Sequence, residues 1–194
     1  MHNKKILLTA FILVLIVQLG VPAKMIWDRE DKLKTGTTYK FRTAPVDPND
    51  PFMGKYINLS YGDNSINIPQ GQEWLAGEKI YVSISNDTNG FAEIRSISKT
   101  RPAGNHDFIK TKVGFIIEGN PPVLNIHYPF DRFYMEESKA YDAELAYIRS
   151  QQDSLKTTYA LVNIKNGEAV LKDVMIDGIS IRKLVKSNQE GKTD

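Results

Sequence analysis

Residues Ile6 to Ala23 read ILLTAFILVLIVQLGVPA, eighteen positions without a charge, and Lys4 and Lys5 stand just before them. At about 1.5 Å per residue this run makes a helix of roughly 27 Å, close to the thickness of a bilayer core. Met25, Ile26 and Trp27 extend the apolar character past Lys24. A lysine at that edge can snorkel, and a tryptophan suits the headgroup region. A buried helix of a soluble protein fits poorly, because an all-apolar run has no polar face to offer water.

Two readings of the segment stay open. One is a signal-anchor that remains in the membrane. The other is a cleaved signal peptide with a basic start, an apolar centre and Val21-Pro22-Ala23 as its small-residue cleavage site. The run is long for a signal peptide, whose apolar centre is usually about 7–15 residues. Lys4 and Lys5 favour a cytoplasmic N-terminus; Lys24, Arg29, Lys32 and Lys34 weaken that asymmetry. The simpler topology puts the N-terminus inside and the rest of the chain outside.

Charge matters here for what it excludes. Of 25 Lys and Arg residues, three lie in the first 27 positions, where no acid stands; the remainder carries 22 basic and 23 acidic groups. A near-neutral remainder disfavours nucleic-acid binding. The absence of cysteine excludes disulfides, thiolate metal sites, Fe–S clusters and a cysteine nucleophile. The 194 residues give room for one ordinary domain beside an anchor.

After a charged spacer (residues 28–36, with some helical character) strands dominate. Tyr39–Thr43, Tyr56–Tyr61, Lys79–Ser85, Phe91–Ser98, Phe108–Ile117 and Val123–Tyr128 alternate or are rich in β-branched residues. Asn86–Gly90, Arg101–Asn105 and Glu118–Pro122 supply turn residues between them. Glu136–Gln152 has Tyr141, Leu145 and Ile148 at helical spacing with no Pro or Gly, which predicts a helix near Ser138–Arg149. Thr158–Ile164, Asn166-Gly167 and Ala169–Ile176 form a hairpin signal, and Ile179–Leu184 reads as a last strand. The expected fold is mainly β, an antiparallel sandwich or barrel-like domain with one short helix, preceded by an N-terminal transmembrane helix. The expected division is an anchor or signal peptide at 1–27, the spacer at 28–36, the β domain at 37–186 and a disordered tail at 187–194.

The densest local signal is APVDPNDPFMGKYINLSY, residues 44–61. Its three prolines and the oxygens of Asp47, Asn49 and Asp50 read first as a rigid, side-chain-capped connection into a strand. They read second as an oxygen-rich ligand site, although EF-hand spacing and the closing Glu are missing. His106 and His127 form no metal-ligand pair. There is no GxSxG elbow and no glycine-rich phosphate loop, whereas a Ser–Lys pair could still meet in space. Phe130, Phe133 and Tyr134 beside Asp131 and Arg132 suit either a packed corner or a partner surface. No metal and no cofactor is expected.

This stretch resembles the signature of the GDYXXLXY family of uncharacterised membrane-anchored bacterial proteins. Pro45, Val46, Asp47, Pro48 and Asp50 match its opening, with Asn49 in place of the usual Arg; Gly54, Tyr56, Leu59 and Tyr61 match the naming motif, with Lys55 in place of Asp. PFDRFYMEESKAYDAELAYI is similar to the family's aromatic-then-glutamate segment, with Tyr134 and Glu136 in the matching places, and YALVNIKNGEAVLKDVMIDG to its closing hairpin. The resemblance implies a membrane-anchored, extracytoplasmic domain of a family often encoded near polytopic membrane proteins, and it assigns no reaction. A family Asp that served as catalyst or ligand would be lost at Lys55.

The residues of interest are therefore Asp47, Asp50, Gly54, Tyr56, Leu59, Tyr61, Tyr134 and Glu136. In an unbroken strand Leu59 and Tyr61 share a face and Tyr56 takes the other. Leu59 is expected in the core, with the Tyr61 hydroxyl at the rim. The function that fits best is a non-enzymatic binding or accessory module for an integral-membrane partner or envelope component. The alternative is an envelope hydrolase whose site is assembled from serine or carboxylate residues.

Overall fold

The computed structural model of the chain describes residues 2–45, 56–68, 71–104 and 106–190. Its first element, α1 (His2–Thr35), is one 34-residue helix that takes in the whole uncharged run, passes through Pro22 and continues along the charged segment beyond. By length and composition it can cross a membrane, and none of its apolar window is buried against the rest of the chain. That exposure argues against a soluble core helix.

In chain order the strands are β1 (Thr37–Ala44), β2 (Tyr56–Asn58), β3 (Ser60–Tyr61), β4 (Ser65–Asn67), β5 (Lys79–Asn86), β6 (Ala92–Ser98), β7 (Phe108–Ile117), β8 (Val123–His127), β9 (Arg132–Tyr134), β10 (Thr158–Lys165), β11 (Glu168–Ile176) and β12 (Ile179–Ser180). The helix α2 (Glu137–Gln152) falls between β9 and β10, and α3 (Ile181–Glu190) follows β12. One antiparallel sheet runs β12-β11-β10-β1-β3, a second runs β4-β8-β7-β5-β6, and β2 pairs with β9. Together they make the nearly closed, barrel-like β domain that the alternation and turns predict.

The sheets meet at several places, two of which follow from the sequence pattern. The turn between β10 and β11 is Asn166-Gly167, both in the left-handed region at φ 53° and 84°, as a tight hairpin turn requires. Its tip rests on β7, where the Lys110 N–H donates to the Gly167 carbonyl at 2.7 Å. On another side Arg42 of β1 reaches Asp87 at 2.8 Å and lies 4.0 Å over the Phe91 ring. Inside, Phe41, Tyr61, Tyr128 and Phe130 contact one another edge-on, tilted or stacked, with ring centroids 5.0 to 5.9 Å apart. Burying such rings is the main stabilising term for a domain of this size.

The end of α1 is tied to the first sheet. The Asn163 amide on β10 donates to the Leu33 carbonyl at 2.7 Å, and its oxygen accepts from the Thr38 hydroxyl at 2.9 Å. The last carbonyls of a helix have no intrahelical partner, so a buried side-chain donor there caps the helix. Lys165 adds bonds to Asp31 at 2.6 Å and Thr35 at 2.7 Å, and Lys32 pairs with Glu168 on β11. A Cβ at Gly36 would stand 2.6 Å from the Lys32 carbonyl oxygen and 3.1 Å from that of Ile164, so glycine lets the chain pass from helix to strand here.

Three expectations need correction. The strand read at Ile179–Leu184 lasts only to Ser180; α3 follows, because Ile181, Leu184 and Val185 repeat at helical spacing and pack against the core. The same helix extends to Glu190, so the disordered tail expected from residue 187 is helical over its first four positions. The strand read at Tyr56–Tyr61 is broken at Leu59, whose N–H donates to the Asp131 carbonyl at 2.7 Å, and its halves pair with different strands, β2 with β9 and β3 with β1.

Candidate functional site

The motif residues part into a buried set and an exposed set. Ile57, Leu59 and Tyr61 all point into the core, so the alternation survives the break at Leu59. Leu59 is buried as its apolar character predicts. The Tyr61 hydroxyl is not at the rim: it is buried and donates to the Phe130 carbonyl at 2.8 Å. The reason lies in the partner, since the main chain at Phe130 arrives to accept it inside the domain. Burial holds the Tyr61 hydroxyl far above its ordinary pKa, so it stays neutral and keeps donating.

Tyr56 faces the other way. It is directly opposite Tyr134 in the β2–β9 register, and the two rings are 5.4 Å apart. The Arg132 guanidinium lies 5.1 Å over the Tyr56 ring, and the neighbouring Tyr134 hydroxyl favours its charged form. Tyr134 is 57% exposed, so this aromatic–arginine group is presented to the outside. Glu136 is the N-cap residue before α2: its carbonyl accepts from the Lys139 and Ala140 N–H groups, and its carboxylate pairs with Lys139 at 2.5 Å, which holds it below the usual carboxylate range. Asp47, Asp50 and Gly54 lie outside the described residues, as does Lys55.

Tyr134 and Arg132 belong to one wall of a groove of about 730 Å³. The extension of α1 lines it as well, through Met25, Asp28, Arg29 and Lys32. Glu168, Ala169, Val170 and Leu171 of β11 close a third side, and His127, Pro129, Phe130 and Asp131 complete the strand wall. Arg29, Lys32 and Arg132 face Asp28, Asp131 and Glu168, so the lining is charged but balanced. Such a lining suits a polar or zwitterionic segment better than an apolar ligand or a polyanion. Among the described residues no three His, Asp or Glu side chains stand close enough to hold a metal ion.

The motif thus contributes one residue to the groove wall, Tyr134, with the Tyr56 ring in tilted contact with it. Met25, Arg29 and Glu168 were not singled out in the sequence. The signal that points to them is the absence of a helix breaker between Ala23 and Thr35, which lets α1 run on as a wall. The family model described as GDYXXLXY protein matches residues 18–174. No curated protein and no solved structure matches the chain.

Proposed function

The chain belongs to the GDYXXLXY family, and from that premise we propose that it is a single-pass membrane protein whose β domain stands outside the cytoplasm as a binding or accessory module for an integral-membrane partner. The observation that carries this reading is the junction between anchor and domain. The helix that would span the bilayer does not end in a flexible linker; it continues for twelve residues beyond Ala23 and is clamped by Asn163, Lys165 and Glu168. Twelve residues rise about 18 Å, so the domain and its groove are held close to the bilayer surface. Confinement at that height raises the effective concentration toward a neighbour in the same membrane, so a modest interface suffices.

The test begins with fractionation and intact-mass analysis of the native chain. Retention predicts the full mass in the membrane fraction; a soluble product beginning at Lys24 would replace the anchor with a cleaved signal peptide. Affinity purification of the crosslinked full-length chain from membranes then asks for a partner. The charge-reversed pair Arg29→Glu and Arg132→Glu should reduce its recovery while the far-UV spectrum stays unchanged. Turnover of an envelope substrate by the isolated protein would favour the hydrolase reading instead.

A further inference from the structure

Within the uncharged run, two polar side chains interrupt the apolar surface. Thr9 is satisfied, its hydroxyl donating to the Lys5 carbonyl at 2.9 Å. Gln18 is exposed, and its carboxamide makes no hydrogen bond among the described residues. Pro22 sits four residues on, inside the same helix. Proline has no N–H, so the Gln18 carbonyl loses its i+4 donor. One turn of α1, about 7.5 Å inside the end of the uncharged run, therefore carries both an exposed amide and a carbonyl without its ordinary i+4 donor. In hydrocarbon there is no water for either, and a neighbouring helix is a standard source of the missing partner.

Helical phase links this turn to the groove. At about 100° per residue, Leu7, Phe11, Met25 and Arg29 fall within about 20° of Gln18, and Val14 within about 40°. Met25 and Arg29 are groove-lining residues. The face that carries Gln18 in the bilayer is the face that becomes the groove wall above it.

We infer that the Leu7–Phe11–Val14–Gln18 face of α1 packs against a membrane-spanning helix of a different, integral-membrane protein, which presents a hydroxyl or carboxamide to Gln18 and whose polar segment beyond the membrane enters the groove. This rests on the anchored reading above and names the interface it uses. A second copy of the chain fits less well. Its own α1 continues as helix to Thr35 with a domain clamped to it, so it would carry a helix and a domain into the space that the first copy's domain already bounds. A helix that stops at the bilayer surface meets no such obstacle, and the balanced charges of the groove suit the polar segment that follows it.

The chain is expressed full length in its native membranes with a benzophenone amino acid replacing Phe11, Met25 or, on the opposite face, Ile16. The expected result is a light-dependent adduct with an integral-membrane protein other than the chain itself from positions 11 and 25 and little from position 16. Gln18→Leu should reduce that adduct about three- to tenfold, and Gln18→Asn should restore most of it. Equal adducts from all three positions, no adduct, an adduct of twice the chain's own mass, or a yield indifferent to Gln18→Leu would each overturn the inference while leaving the anchor in place. A chain recovered in the soluble fraction and beginning at Lys24 would overturn the anchored reading and this inference with it.

Discussion

The side-chain amide of Asn163 donates to the main-chain carbonyl of Leu33 across 2.7 Å, joining a strand in the middle of the first sheet to the last turn of the N-terminal helix. Asn163 is 2% exposed. Its oxygen is used as well, by the Thr38 hydroxyl, so both ends of the carboxamide are occupied in a region that water does not supply.

Asn163→Ala removes a donor and an acceptor together and leaves the Leu33 carbonyl short of a partner. The expected cost is about 1–3 kcal/mol of domain stability. The same variant should loosen the helix–domain junction, read as faster tryptic cleavage after Lys32 and Lys34 in the otherwise folded protein. Unchanged cleavage would mean that Lys165 and Glu168 hold the junction without Asn163.

Gly167 and Gly178 provide an internal comparison. Both adopt positive φ, 84° and 79°, but a Cβ at Gly167 would stand 2.4 Å from the Phe108 ring, whereas nothing lies within 4 Å of one at Gly178. Gly178→Ala should cost about 1–2 kcal/mol for its backbone alone. Gly167→Ala should cost a further 1–3 kcal/mol or so, since the turn must back away from β7. Thermal unfolding of the two variants in parallel reads the difference, and equal losses would show that the turn does not bear on β7.

Two changes in the motif test its structural half. Leu59→Ala should cost about 2–5 kcal/mol as a core truncation. Tyr61→Phe keeps the ring but leaves the Phe130 carbonyl unpaired inside the domain, at about 1–3 kcal/mol. Denaturant unfolding measures both. Wild-type stability in either variant, accompanied by loss of partner recovery, would make these residues part of the binding surface.

Tyr39 and Tyr147 are pushed up to about 12, and Tyr61 and Tyr128 also lie above their ordinary value. Burial is the first cause for all four; for Tyr39 the neighbouring Asp107 carboxylate adds to it. A phenol whose folded pKa exceeds its unfolded one binds its proton more tightly when folded. The stabilisation is complete below pH ~10, where unfolded tyrosine is still neutral, and it is lost as pH rises from there through the folded values. Stability should therefore be level across neutral pH and fall steeply above about 10. The share of tyrosinate absorbance that belongs to these four should appear together with unfolding, and gradual ionisation of all four phenols before unfolding would contradict it.

The parts of the fold legible in the sequence are those set by neighbours along the chain. The uncharged run, the Asn166-Gly167 turn and the strand Phe108–Ile117 announce themselves because residues within a few positions determine them. The last helix resembles a strand in sequence because Ile179 and Ile181 mimic alternation; Leu184 and Val185 decide the matter only once the core they pack on is known. The break at Leu59 and the buried Tyr61 hydroxyl depend on carbonyls of Asp131 and Phe130, some seventy positions away. The groove draws its walls from three distant segments, of which the sequence marked only the one ending in Tyr134.

The unbroken α1 makes the junction a lever. With Lys32 and Leu33 fastened to the sheet and no Pro or Gly between Ala23 and Thr35, the domain of the anchored form proposed above turns with the helix segment that carries it. Spanning helices adjust to bilayer thickness by tilting. A change of about 10° moves a point 18 Å or so above the bilayer sideways by about 3 Å, and turns the groove by the same 10°. In the anchored form proposed above, the orientation of the domain is thereby geared to the thickness of the bilayer.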